Sequence, residues 1–378
     1  MISRSLACVF ANTARWGSRP AAIVTIAIAL GTIVPVATLR AAAPTSRPAA
    51  PAAPSAALAK YDKPIDQSID KALAYLAKAQ QPDGTFAGPM ARTTGVNSLC
   101  VMAFLAKGHT PGNGPYGTVI NKGLDFTVAS AQPNGMLLDA RSANGPMYSH
   151  CISTLLLSEV SGMVDANRQK RIDRVLGPAI KLLLTAQGMQ KPAAQQGGWR
   201  YQTNSRDSDI SCTGWALMSL RSARNAGAAV PKTAVDDAIK FVMNCHNKDG
   251  GFAYQPGGQS SLARTGTALL CLELAGRHRD ATTLAAGDYI LKSMPKSFGG
   301  GYFFYGTYYA SQGMYQLGGD HWERFAVQLY DMMLKFQRPD GSWPESGGSE
   351  QNAGPCYATA MSVLAMSVSY CQLPIYQR

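Results

Sequence analysis

The densest chemistry in the chain lies in one run, Arg206-Asp207-Ser208-Asp209-Ile210-Ser211-Cys212-Thr213-Gly214-Trp215. Two carboxylates two positions apart suit a proton donor and its support, because neighbouring carboxyls and hydrogen bonds set how readily such a group gives up its proton. Standing at the head of an apolar stretch, either Asp also suits a helix N-cap, where its oxygen accepts a free backbone N–H. Asp209, Cys212 and His150 form a donor set of the kind zinc takes in catalysis, with three protein ligands and one open position. A rim His exposed to solvent beside a core Cys is the alternative reading, and no other cofactor is implied. A second cluster, Tyr302-Phe303-Phe304-Tyr305 with Tyr308, Tyr309 and Tyr315, joins Trp215 and Tyr357 as candidate cavity lining. Aromatic faces stabilise cations in a dry cavity, bind apolar ligands, or simply pack a glycine-spaced helix start. Arg264 suits a diphosphate or carboxylate ligand, or an ion pair with Asp207 or Asp209. Glycoside chemistry needs two opposed carboxylates about 5–9.5 Å apart, and Glu159, Glu273 and the Asp207/Asp209 pair are the scarce candidates.

The elements that must position these residues come as a repeat. A short phrase returns about every fifty residues, from Gln80-Gln81-Pro82-Asp83-Gly84-Thr85-Phe86 to Gln337-Arg338-Pro339-Asp340-Gly341-Ser342-Trp343. Degraded copies stand at Asn134-Gly135, Gln196-Gly197-Gly198-Trp199 and Asp249-Gly250-Gly251-Phe252, and Gly299-Gly300-Gly301-Tyr302 fills the remaining slot. Each phrase follows an amphipathic stretch such as Ile65–Ala79 and precedes a nearly uncharged one such as Val96–Ala106. Apolar residues at i, i+3, i+4 and i+7 mark a helix with one buried face, and an uncharged helix is buried all round. Six such hairpins predict an all-α ring of twelve helices, outer alternating with inner, whose closure removes the need for polar caps at its ends. The Gly makes the turn, and the aromatic after it is expected to pack on the Gln of the preceding helix. Aligned on their inner helices, Cys100, Cys151, Cys212 and Cys356 fall at one place in four repeats, with Arg264 and Tyr309 in the other two. Helices about 8–10 Å apart do not bring such cysteines within bridging distance, so they are expected as small buried hydrophobes.

The phrase Gln-x-x-Asp-Gly-x-Trp resembles the "QW" repeat of squalene and oxidosqualene cyclases and of protein prenyltransferase β subunits. The resemblance covers roughly residues 62–372 and implies an α/α toroid, or (α/α)6 barrel, that binds or cyclises an isoprenoid or other apolar small molecule in its centre. Class II terpene cyclases carry Asp-x-Asp-Asp at an inner-helix start, and Asp207 and Asp209 match its first and middle positions. The resemblance therefore implies Asp209 as the acid and Asp207 as its support, with Trp215, Arg264, Tyr305, Tyr309 and Tyr357 facing the substrate. Ile210 stands where the last Asp of that motif belongs, and this favours a non-catalytic lipid- or protein-binding scaffold as the alternative. A prenyltransferase zinc site has Asp-x-Cys, whereas Asp209-Ile210-Ser211-Cys212 is one residue longer. An (α/α)6 carbohydrate-active enzyme is a third reading.

Of the formal net charge of +12, half comes from Arg4, Arg15, Arg19, Arg40, Arg47 and Lys60, in a stretch without Asp or Glu. No clustered basic stripe with interleaved aromatics remains in the body, so no nucleic-acid partner is expected. Residues 21–37 are an apolar run behind a basic segment, expected as a signal peptide (1–43) or an uncleaved signal anchor that attaches an exported protein to a membrane. The Pro/Ala-rich stretch to residue 61 is expected as a disordered linker ahead of the toroid at 62–378. No P-loop, His-Glu-x-x-His or Asp-Asp-x-x-Asp motif occurs, nor the Gly-Cys-Gly-Glu-Gln of thioester toroids.

Overall fold

The computed structural model describes residues 56–139, 145–295 and 298–376. The apolar run at 21–37, the cleavage region near 43 and most of the linker lie outside these residues. Among the described residues no helix is long and apolar enough to cross a membrane. After a single turn, α1 (Ala56–Ala59), twelve helices alternate in position. The outer ones are α2 (Asp62–Ala79), α4 (Gly117–Ala129), α6 (Ala166–Gln187), α8 (Lys232–Asn244), α10 (Ala281–Ser293) and α12 (Gly319–Phe336). The inner ones are α3 (Thr94–Ala106), α5 (Pro146–Glu159), α7 (Ile210–Asn225), α9 (Leu262–Leu274), α11 (Phe303–Leu317) and α13 (Pro355–Met366).

Burial follows the sequence pattern. Every residue of α3 is buried, whereas α2 buries only the stripe Ile65, Ile69, Ala72, Leu73 and Leu76 with Ser68. Each inner helix packs on the next, and α13 packs on α3, so the inner ring closes. Small residues allow close approach. A Cβ on Gly266 of α9 would sit 2.6 Å from the backbone nitrogen of Ala310 in α11.

The repeated turn is an interlock between neighbouring hairpins. The Gln337 side-chain amide donates to the carbonyl oxygens of Gly341 in its own turn and of Ser68 in α2, at 3.0 and 2.8 Å. Gln80 bridges Gly84 and Val119 in the same way, and Gln187 bridges Gly197 and Ala234. Each amide thus acts as a clamp that satisfies a turn carbonyl and one in the next outer helix. Gly341 has φ +92°, and a Cβ there would lie 2.3 Å from the Lys71 carbonyl oxygen of α2. That contact joins the sixth hairpin to the first and seals the outer ring.

Two expectations need correction. The turn aromatics Phe86, Trp199, Phe252 and Trp343 are all buried, but Tyr302 of the fifth turn is 55% exposed and fills no such slot. Phe298, Phe303 and Phe304 pack together there instead. The folded body also begins earlier than residue 62: α1 packs on α12, and the Tyr61 hydroxyl donates to Asp331 at 2.5 Å.

A candidate ligand site at the mouth of the ring

All inner helices start at the same end of the ring, here the near mouth, because each follows its turn directly. The loop after the third turn delivers the acidic motif there. Its anchor is Trp199, whose indole N–H donates to the Leu183 carbonyl while its backbone carbonyl accepts from Asp209 N–H at 2.8 Å. Asp209 is the N-cap of α7: one carboxylate oxygen accepts from the Cys212 backbone N–H at 2.8 Å, and the other lies 3.3 Å from the Arg200 guanidinium. Burial pushes the Asp209 carboxyl above the usual carboxylate range, and the Cys212 amide and Arg200 pull it back. Arg200 also pairs with Asp207 at 3.2 Å, so one guanidinium serves both carboxylates. Asp207 is half-exposed and further accepts from the Gln255 amide.

Around this pair the mouth is tyrosine-rich. The Arg200 guanidinium sits 4.4 Å from the Tyr201 ring centre and 5.3 Å from that of Tyr254. Arg264 lies over the other reach of Tyr254 at 5.6 Å and donates to the Gln259 carbonyl rather than to either Asp. The Tyr201 and Tyr254 hydroxyls meet, and Tyr148 lies 5.8 Å from Tyr201. These cation–ring contacts hold two guanidiniums beside aromatic faces at an open rim.

Behind the rim, Trp215, Tyr305 and Tyr309 come together as one cluster. Tyr309 is 5.1 Å from Trp215 and 4.9 Å from Tyr305, whose hydroxyl meets Thr267 at 2.7 Å. Tyr308 stacks on Trp215 at 5.5 Å. Trp215, Tyr308 and Tyr309 are 2%, 1% and 0% exposed, so the protein encloses them almost completely. Tyr357 stands apart and donates to Glu350, which also accepts the first N–H groups of α11 from Phe304 and Tyr305.

The zinc set does not assemble. His150 is fully buried, its Nδ1 accepting from Leu137 N–H and its Nε2 bonded to the Ala179 carbonyl of α6, both at 3.1 Å. Thr213, Thr265 and Thr359 do the same task for Trp199, Phe252 and Trp343, accepting the backbone N–H of the residue that closes each turn. His150 is thus a structural stand-in for Thr, with no lone pair left for a metal. Among the described residues no three His, Cys, Asp or Glu side chains could hold one. This shared bonding also sets the true register of the inner helices. Cys151 follows His150, while Cys212 precedes Thr213 and Cys356 comes three before Thr359, so the cysteines do not share one position. Cys100, Cys151, Cys212, Cys245, Cys271 and Cys356 are buried free thiols.

Glu159 and Glu273 lie at the C-terminal ends of α5 and α9, away from the Asp207/Asp209 pair, and Glu273 bonds His278. Sequence reasoning missed Arg200, Tyr201, Tyr254 and Tyr148. A signal existed for three of them: they follow the buried turn aromatics Trp199 and Phe252 by one or two residues, where the chain runs out to the mouth.

Solved structures of the same shape are distant in sequence. A family 76 glycoside hydrolase from a bovine Bacteroides thetaiotaomicron strain is 10% identical with a TM-score of 0.58, over 82% of this chain and 78% of that one. A type II terpene cyclase from Scytonema, in complex with its product merosterolic acid A, is 15% identical with a TM-score of 0.53, over 84% and 100%. A cellobiose 2-epimerase from Bacillus thermoamylovorans is 10% identical with a TM-score of 0.59, over 80% and 98%. At these identities the likeness is one of fold. A search of curated proteins gives no match. The model of the prenyltransferase alpha-alpha toroid domain matches residues 145–303 and 302–373, from the start of α5 through α13. With its inner helices closed on one another and its sixth turn sealed onto the first outer helix, this chain belongs to the prenyltransferase alpha-alpha toroid domain family.

Proposed function

We propose that this toroid is a binding protein that takes its ligand on the aromatic near mouth, and that it does not cyclise an isoprenoid in its centre. The observation that supports this most is the gradient of exposure along the ring axis. Trp215, Tyr308 and Tyr309 fill the middle, while Tyr201, Arg200, Tyr254 and Arg264 remain accessible at the rim. Asp209 caps a helix and shares a guanidinium with Asp207, so both of its oxygens are engaged within the protein. Tyrosine faces with hydroxyl edges beside two guanidiniums suit a ligand that offers flat apolar faces, hydroxyls and negative charge together, the profile of an acidic saccharide. The sugar-acting enzymes among the proteins of like shape are in keeping with this reading.

The aromatic cluster of Trp215, Tyr305 and Tyr309 directly behind the rim favours a second reading, entry of a prenyl chain. It requires those rings to move apart. One experiment separates the two. The protein is titrated calorimetrically with oligogalacturonate and with neutral cello-oligosaccharide, and incubated with squalene and geranylgeranyl diphosphate for gas chromatography–mass spectrometry. Saturable binding of the acidic oligosaccharide, weakened by Tyr254→Ala, with no cyclic product, is expected. A cyclic product lost in Asp209→Asn, or no saccharide binding at millimolar concentration, would overturn the proposal.

A further inference from the structure

At the end of the ring where the inner helices finish, the chain does something the repeat does not require. After α13 it turns through the single 3-10 turns Val368–Tyr370 and Pro374–Tyr376, with Cys371 at φ +51° between them. In the ring order α3, α5, α7, α9, α11, α13, the helix opposite α13 is α7. The Pro374–Tyr376 turn packs on α7, so the segment crosses the far mouth from one side to the other. It buries Leu373, Ile375 and Tyr376.

Its first half is tied to the body where the Tyr370 hydroxyl donates to Asp66 at 3.3 Å and the Tyr315 hydroxyl meets Cys371 at 3.0 Å. The Gln316 amide of α11 donates to the Tyr376 carbonyl at 3.1 Å, and the Ile375 backbone N–H donates to Glu159 Oε2 at 3.0 Å. Glu159 ends α5 and is 1% exposed. Its other oxygen meets the Ser222 hydroxyl of α7. The titratable groups that face it from the elements packed around it are Tyr308 of α11 and Tyr376 of the segment itself. No cation pairs with it among the described residues.

We propose that residues 368–376 are a strap over the far mouth that loosens as pH rises, with Glu159 as its sensor. A neutral carboxyl fits the closed state: its carbonyl oxygen accepts from Ile375 N–H, and its O–H turns to Ser222. An ionised carboxylate in the same place has two neutral donors and no countercharge, and lifting the strap lets water reach it. Burial accordingly pushes the Glu159 carboxyl up to about 7 from its ordinary 4.5, with the bonds from Ser222 and Ile375 pulling weakly the other way. The closed state therefore binds the proton more tightly than the open state. Below about pH 4.5 both are protonated and opening is insensitive to pH. From there to about 7 only the open state releases its proton, so opening grows roughly tenfold per unit, and above 7 it levels off.

The test is hydrogen exchange of the full chain read by mass spectrometry between pH 5 and pH 8, corrected for intrinsic exchange. Protection of the Ile375 and Tyr376 amides should fall on the order of 10²-fold across that range, while the amides of α3 keep theirs. Glu159→Gln should flatten the profile. Ser222→Ala, which removes a donor to the ionised form, should extend the fall to higher pH and serves if the first variant does not fold. A strap whose corrected protection is flat in the unmodified chain, or a step that survives Glu159→Gln, would sink the proposal.

Discussion

Asp209 and Glu159 are two carboxylates of nearly equal burial at opposite ends of one ring, 0% and 1% exposed, and they are held in opposite ways. Asp209 receives a guanidinium from the loop of the preceding turn and a backbone N–H from its own helix. Glu159 receives a hydroxyl and a backbone N–H, both uncharged. Burial raises both carboxyls, and among the described residues a neighbouring loop delivers a cation against that rise at Asp209 but not at Glu159. The near mouth thus sets a guanidinium between two carboxyl groups beside open tyrosine faces, as a ligand site needs. The far mouth excludes charge, which suits a seam that is closed by the chain itself.

The largest effect would erase the comparison by opening the ring at both ends. Gly341→Ala forces a side chain into the left-handed region and against the Lys71 carbonyl, and should cost about 3–4 kcal/mol in denaturant unfolding. Gly300→Ala, with nothing within 4 Å of the added Cβ, should cost under about 1 kcal/mol. Equal losses at the two positions would mean that the sixth turn does not seal the ring. Next in size is Arg200→Leu, which leaves Asp209 buried without its cation and should cost about 2–4 kcal/mol at pH 7. Adding Asp209→Asn should recover part of that loss, because Asn still caps the helix and carries no charge. A double variant no more stable than Arg200→Leu alone would show that Arg200 acts through packing on Tyr201 and Tyr254.

The fold was legible because its constraints are local. Gly341 and Gly197 must take positive φ, and Asp340 and Asn134 bond backbone groups two residues on, so the turn shows in its own few residues. The task of Gln80, Gln187 and Gln337 was not legible, since each finds its second partner in another hairpin, Val119, Ala234 or Ser68. Asp209 could be read as an N-cap from its place before an apolar helix, and it is one. Arg200 could not be read as its cation, because the pairing depends on how the loop from Trp199 to Asp209 folds back through one backbone bond. His150 misled for a related reason: its residue type suggested a ligand, but its position is one that Thr fills in other repeats.

At the far mouth burial raises the carboxyl as well, and among the described residues no cation pulls it back. The Glu159 carboxyl sits at about 7 in the folded chain against 4.5 when exposed, so its contribution to stability is present below pH 4.5 and lost as pH rises through about 7. Glu159→Gln should be nearly neutral at pH 4.5 and stabilising by about 2–3 kcal/mol at pH 8. Parallel stability curves for the two proteins from pH 4.5 to 8 would mean that Glu159 keeps its ordinary affinity for the proton, and the contrast with Asp209 would vanish.

The smallest effect is the most specific to the near mouth. Among the described residues Arg264 pairs with neither Asp and donates to the Gln259 carbonyl, while its guanidinium lies over Tyr254. Arg264→Ala should shift stability by no more than about 0.5 kcal/mol, as expected for a rim side chain outside any buried pair. If the rim takes an acidic saccharide, the same change should weaken oligogalacturonate roughly tenfold by calorimetry, through loss of one charge-assisted contact. Arg264→Lys keeps the charge but not the planar fork or its fit over the ring, so it should recover only part of that affinity. Full recovery would show that the rim attracts its ligand by charge alone, with the tyrosines as scaffold, and the near mouth would then differ from the far one in electrostatics but not in recognition.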